Sequence, residues 1–160
     1  MTQNLTTITF VESGAERSSI CDSILRSLPD WFGIENAIVD YVKDVQTMDT
    51  WAAYDQNKLI GFISVYKHNP YTAEVHVMGI LKDFHRKGIG QKLLSIAEKN
   101  LVNEGFKFFQ VKTLSESRAN EEYERTRKFY LGMGFYPVEE FKTLWGEDNP
   151  CLLMIKSINN

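Results

Sequence analysis

Apolar and polar positions alternate along this chain with two different periods, and the points where the period changes mark its elements. Residues 6–11 alternate Thr/Ile/Thr/Phe and predict a first strand, broken at Ser13-Gly14. Over residues 16–28, Ile20, Ile24, Leu25 and Leu28 recur at helical spacing, and Pro29 is the stop. A second helix follows over residues 34–45, with Ile34, Ala37, Ile38, Tyr41, Val42 and Val45 as its apolar stripe. Residues 51–54 form a short strand, Asp55-Gln56-Asn57-Lys58 a hairpin-type turn, and residues 59–66 (LIGFISVY) a strand apolar enough to be central. A strand over 72–81 comes next, so three consecutive strands predict an antiparallel meander. Leu93, Leu94, Ile96, Ala97 and Leu101 give a helix that Gly105 closes, and residues 106–114 a strand that should run parallel to its predecessor, because a helix crosses over between them. Residues 115–120 are a polar loop and 121–133 a helix ended by Gly134. Strands over 135–144 and 151–158 close the chain around the loop WGEDNP.

The order is β-α-α-β-β-β-α-β-α-β-β, an α/β (α+β) layer structure with one mixed sheet. No linker, repeat or low-complexity segment interrupts it. At 160 residues the chain suits a single domain over 1–160. Its 43% hydrophobic and 24% charged residues are those of an ordinary globular protein, not a disordered one. A net charge of −3 is not the basic footprint of a nucleic-acid binder. The N-terminal residues lack a basic region followed by an apolar core, and no run approaches the roughly 20 apolar residues that span a membrane. Cys21 and Cys151 stand far apart in no metal-type spacing, which favours a reduced, soluble, cytoplasmic protein. His68, His76 and His85 show no ligand pattern, so no metal is expected.

One stretch does not read as scaffold alone. From Glu74 to Leu94 the sequence EVHVMGILKDFHRKGIGQKLL passes from an alternating strand, through a basic turn with Gly88 and Gly90, into a helix. Glycines at a helix start let backbone N–H groups approach an anion without an intervening Cβ, and the helix dipole favours negative charge there. It is not a P-loop, since no Lys-Ser/Thr follows the second glycine, and not G-x-G-x-x-G, since Leu93 stands at the third position. Alternation also puts Glu74, His76, Met78 and Ile80 on one face of the strand, against Val75, Val77 and Gly79 on the other. Two titratable groups on one face of a central strand are costly without partners or work.

The strand ending near Ile80, the five-residue connection, x-x-x-Gly-x-Gly and the apolar helix resemble the central motif of the GNAT-type N-acetyltransferases. RKFYLGMGF (127–135) resembles that superfamily's second signature, and the element order is the superfamily's own. The resemblance covers essentially the whole chain. It implies the GNAT fold, a mostly antiparallel mixed sheet flanked by helices, with acetyl-CoA as donor. The pyrophosphate would lie on the turn, drawing on His85, Arg86, Lys87, Gly88, Ile89, Gly90 and Gln91. The pantetheine arm would pair with the backbone of Met78, Gly79 and Ile80. His85 departs from the pattern, which has Arg or Gln there; contacts through backbone N–H should survive that change.

For chemistry, the resemblance gives Tyr130 the role of protonating the departing thiolate. A phenol with a reference pKa of about 10 is protonated at neutral pH and can donate to such a group. The attacking amine must first lose a proton, and either His76 or Glu74, directly or through water, could take it. Imidazole has the better ordinary pKa, and the carboxyl would need burial to raise its own. The implied activity is direct transfer of acetyl to a primary amine of a small molecule or peptide, in a ternary complex. The rival is a non-catalytic acyl-CoA-binding module of the same fold. Among relatives homodimers are common, and the final strands could pair edge to edge.

Overall fold

The computed structural model describes residues 6–159, and its elements follow the predicted order. They are β1 (Thr6–Phe10), α1 (Gly14–Arg26), α2 (Glu35–Asp44), β2 (Asp49–Asp55), β3 (Lys58–Lys67), β4 (Thr72–Ile80), α3 (Ile89–Asn103), β5 (Phe108–Leu114), α4 (Glu121–Gly132), β6 (Tyr136–Phe141) and β7 (Cys151–Ser157). The strands form one sheet in the order β1-β2-β3-β4-β5-β7-β6. Antiparallel pairs join β1 to β2, β2 to β3, β5 to β7 and β6 to β7, while β5 runs parallel to β4 as the crossover through α3 requires. Two short 3₁₀ turns, Val45–Thr47 and Lys82–Phe84, are additions to the predicted order; three residues are too few to show a period.

Other boundaries move for local reasons. β5 starts at Phe108 instead of 106 because the Phe106 amide donates to the Leu101 carbonyl (3.0 Å) and so finishes the C-terminal end of α3. β6 stops at Phe141 instead of 144 because the chain turns there, with the Gly146 amide closing onto the Thr143 carbonyl at 3.1 Å. α1 starts at Gly14 because the Ser13 hydroxyl accepts from the Glu16 amide, leaving one fewer unsatisfied donor in the first turn.

Contacts divide the chain into two compact units, the first comprising residues up to Tyr66 with His76–Asn100, the second Lys67–Val75 with Leu101 onward. In the first unit, Ile20, Ile24, Leu25 and Leu28 of α1 pack with Ile38, Val45, Phe62 and Val77 in a buried cluster. The Ser18 hydroxyl donates to the Val42 carbonyl at 2.6 Å and ties α1 to α2. β2 and β3 form a two-residue hairpin in which Asp55 faces Lys58 across Gln56 (φ 48°) and Asn57 (φ 72°), the left-handed pair that matches strand twist. β4 lies under α1 in a way that leaves Gly79 no room: a Cβ there would sit 2.8 Å from Ile24 Cγ2 and 3.2 Å from Leu28 Cδ1.

In the second unit β5 is central, and Phe109, Phe135 and Met154 are fully buried. α4 ends through Gly134 at φ 94°, a left-handed cap, and the Phe135 amide returns to the Tyr130 carbonyl at 3.0 Å. That reversal puts the Phe135 ring against both Phe109 (5.6 Å) and Tyr130 (5.5 Å). Arg127 Nη1 donates to the Leu114 carbonyl at 2.7 Å and pins α4 to the end of β5. β6 is an edge strand, and its Pro137, next to a register shift, blunts that edge.

The Gly79 contact is testable. Ile24 Cγ2 is a branched methyl close to its own helix backbone and cannot swing aside, so Gly79→Ala should overpack this site and cost about 1–3 kcal/mol in urea unfolding. Unchanged stability would show that α1 is not pressed on the strand in this way.

Candidate active site

The pleat of β4 sets the site. Val75, Val77 and Gly79 are buried, while His76, Met78 and Ile80 on the other face are half-buried. Glu74 shares the second face yet is only 7% exposed. Its cover comes from its own partners in the second unit: Gln110 Nε2 donates to Glu74 Oε1 at 2.6 Å, His68 Nε2 lies 2.9 Å from the same oxygen, and Lys112 Nζ lies 3.1 and 3.4 Å from the two oxygens. Parallel pairing of β4 with β5 puts Gln110 directly beside Glu74. Burial pushes the Glu74 carboxyl up, but the hydrogen bonds from Gln110, His68 and Lys112, with the Lys112 charge, outweigh it and hold the group below its usual range. A carboxylate so well supplied with donors is a weak proton acceptor.

His76 has different surroundings. In the first unit its Nε2 lies 3.1 Å from Asp44 Oδ2, at the C-terminal end of α2. The Tyr41 ring meets the imidazole edge-on at 5.4 Å and the Tyr66 ring is tilted against it at 6.4 Å. The imidazole keeps 21% of its side-chain surface exposed and Asp44 keeps 44%. The group is therefore held in orientation and still reachable.

Beyond Ile80 the chain forms the basic turn. Arg86 (φ 63°) and Gly88 (φ 78°) both take left-handed backbone, and Arg86, Lys87 and Gly88 are exposed. The first bond of α3 runs from the Lys92 amide to the Gly88 carbonyl at 3.1 Å, so the amides of Ile89, Gly90 and Gln91 precede it and have no acceptor inside the helix. These N–H groups, the helix dipole and the flanking cations suit a phosphate. Lys87 Nζ and Lys58 Nζ both sit over the Phe84 ring, at 5.2 and 5.5 Å.

His85 turns back toward the strand. Its Nε2 donates to the Ile80 carbonyl at 2.6 Å, and its ring meets Trp31 edge-on at 5.3 Å. Since the Leu81 amide of the same peptide donates to Ile60 in β3, that carbonyl points away from β3. His85 thus acts on main chain at the strand end. The absence of a side chain at Gly79 is accounted for by its packing under α1.

In the second unit Tyr130 is 5% exposed between Phe129 (5.2 Å) and Phe135 (5.5 Å). Of the residues after β5, Asn120 caps α4 by accepting from the Tyr123 amide at 3.1 Å. Arg118 Nη1 holds the loop before β7 through the Asp148 carbonyl (3.0 Å) and Asn149 Oδ1 (2.6 Å). Sequence reasoning missed Asp44, Gln110 and Lys112: each is a polar residue on an otherwise amphipathic element, indistinguishable there from a solvated one. Among the described residues no group of His, Cys, Asp and Glu could hold a metal ion, and no helix is long and apolar enough to cross a membrane.

A family model described as an acetyltransferase (GNAT) domain matches residues 46–137. Among solved structures, the chain is similar to the aminoglycoside 6'-N-acetyltransferase from Enterococcus faecium (20% identity, TM-score 0.74, 96% of this chain and 98% of that one). It is also similar to a GNAT family acetyltransferase from Elizabethkingia anophelis with acetyl-CoA bound (17% identity, TM-score 0.73, 97% and 99%). A third is Ard1 from Thermoplasma volcanium (12% identity, TM-score 0.73, 97% and 99%). Among curated protein sequences none matches the chain.

The Glu74 cluster carries a stability prediction with a definite sign. A carboxyl whose folded pKa is depressed stabilises above its unfolded value, about 4.3, and that contribution is lost as pH falls through the folded value. Glu74→Gln should therefore unfold about 1–3 kcal/mol more easily at pH 7, and the gap to the parent should narrow on acidification below about pH 4. A gap that is constant with pH would refute the charge assignment.

Proposed function

The chain belongs to the GNAT acetyltransferase family, and from that premise we propose that it transfers acetyl from acetyl-CoA to a primary amine. The observation that carries this reading is the unit β4–basic turn–α3, in which left-handed Arg86 and Gly88 present the amides of an unfinished helix start beside exposed cations. Arg86 to Gln91 then hold the pyrophosphate, mostly through backbone N–H. The main chain of Met78 and Gly79 orients the pantetheine arm, and the Ile80 carbonyl joins them once His85 releases it.

Acetyl-CoA supplies the activated acyl group as a thioester. His76 takes the proton that the incoming ammonium must lose, because Glu74 is already committed to three donors. The amine nitrogen forms the new C–N bond, the C–S bond breaks, and Tyr130 gives its phenolic proton to the departing thiolate. The second proton leaves the nitrogen as the amide forms and, through solvent, restores Tyr130. Neither cysteine enters: both are buried, and burial raises the thiol pKa at each, to about 12 for Cys21 and about 11 for Cys151. This supports direct transfer in a ternary complex. The similarity to an aminoglycoside acetyltransferase puts aminoglycosides first on the panel of acceptors, followed by polyamines and peptide lysines.

The test is an acetyl-CoA turnover screen across such amines, following free thiol. Thiol release with at least one class supports transfer; CoA binding with no release from any amine would favour the binding-module reading instead. Tyr130→Phe should keep CoA affinity and lose about 100-fold or more in kcat, and a rate equal to the parent's would remove Tyr130 from the mechanism.

A further inference from the structure

We infer that Asp44 is a positioning residue for acetyl transfer, forming with His76 a dyad that fixes the imidazole tautomer and stabilises the imidazolium once the amine has given up its proton. The inference rests on the reading of His76 as proton acceptor and adds a residue to it. A carboxylate only accepts, so the 3.1 Å contact places the hydrogen on His76 Nε2 and leaves the lone pair on Nδ1. Nδ1 is then the one ring atom able to receive a proton from substrate.

The position of Asp44 strengthens the case. It is the last residue of α2, where the helix dipole is negative and an acid is disfavoured by about 0.3–1 kcal/mol. An acid at this end repels the helix carbonyls; Lys43 in the same turn offsets part of that, and a charged His76 would add a cation in contact with the carboxylate itself. The field of Asp44 reaches its neighbours: it contributes, after burial and Asp22, to pushing up the Cys21 thiol on α1. Around His76 the titratable groups in contact are Asp44 and Tyr41 on α2 and Tyr66 on β3, with Cys21 on α1 within reach of the Asp44 charge. Glu74, two positions earlier on β4, is engaged by its own donors. Asp44 is the acid in contact with the ring. The Tyr41 and Tyr66 rings flank the imidazole.

The experiment compares the parent with Asp44→Asn, Asp44→Glu and His76→Gln, by kinetics and by long-range ¹⁵N NMR of the histidine rings; His76→Gln identifies the His76 signals. In the parent, neutral His76 should be the Nε2–H tautomer. In Asp44→Asn that preference should weaken, and kcat should fall about tenfold with the amine KM little changed. Asp44→Glu should restore part of the rate and the tautomer. An unchanged tautomer, or a kcat in Asp44→Asn equal to the parent's, would overturn the dyad. Should no amine be acetylated, the function reading fails on its own, while the NMR arm still decides whether Asp44 sets the His76 tautomer.

Discussion

The packing of α1 on Gly79 is the constraint from which the rest of the site follows. With Ile24 Cγ2 and Leu28 Cδ1 occupying the space where a side chain would be, β4 can present only one of its faces to the core. Strand period is two, so a slip of one residue would bury His76, Met78 and Ile80 and expose Val75 and Val77. Fixing one glycine under a helix therefore fixes the direction of every polar group on nine residues of strand. The direction of these side chains is a consequence of apolar packing.

The two titratable groups on that face show two ways of keeping a polar side chain on a central strand. Glu74 is buried and saturated: three donors return what desolvation takes away, and the result is a stable carboxylate with little appetite for a proton. His76 is half-buried with one acid and two aromatic rings, enough to orient it without removing it from solvent. The first arrangement favours stability and the second leaves the ring reachable. Side chains two residues apart thus differ in burial and partners through their neighbours, not through their own identity.

Much of this was legible in the sequence because it depends on local rules. Element order, the hairpin at Gln56-Asn57, the parallel placement of β5 and the helix end at Gly134 each follow from period or turn chemistry within a few residues. The face of β4 was legible for the same reason. What was hidden depends on partners far apart in the chain: Asp44 meets His76 across 32 positions, and Lys112 meets Glu74 across 38. Asp44 ends an amphipathic helix where any solvated acid could stand. Gly79 could be recognised as unusual, but its cause, a helix methyl 2.8 Å from an absent Cβ, belongs to tertiary packing. His85 illustrates the same limit, since nothing local says that its ring turns back to a strand carbonyl.

The basic turn brings the remaining elements together. Non-glycine residues in left-handed backbone cost about 1–2 kcal/mol, and Arg86 accepts that conformation beside a glycine that needs it less. Two ammonium groups share the Phe84 ring, although like charges repel. An anion on the amides at the start of α3, as proposed above, would offset the repulsion between these ammonium groups. β4, whose pleat is fixed by Gly79, leads through the Lys82–Phe84 turn into this loop.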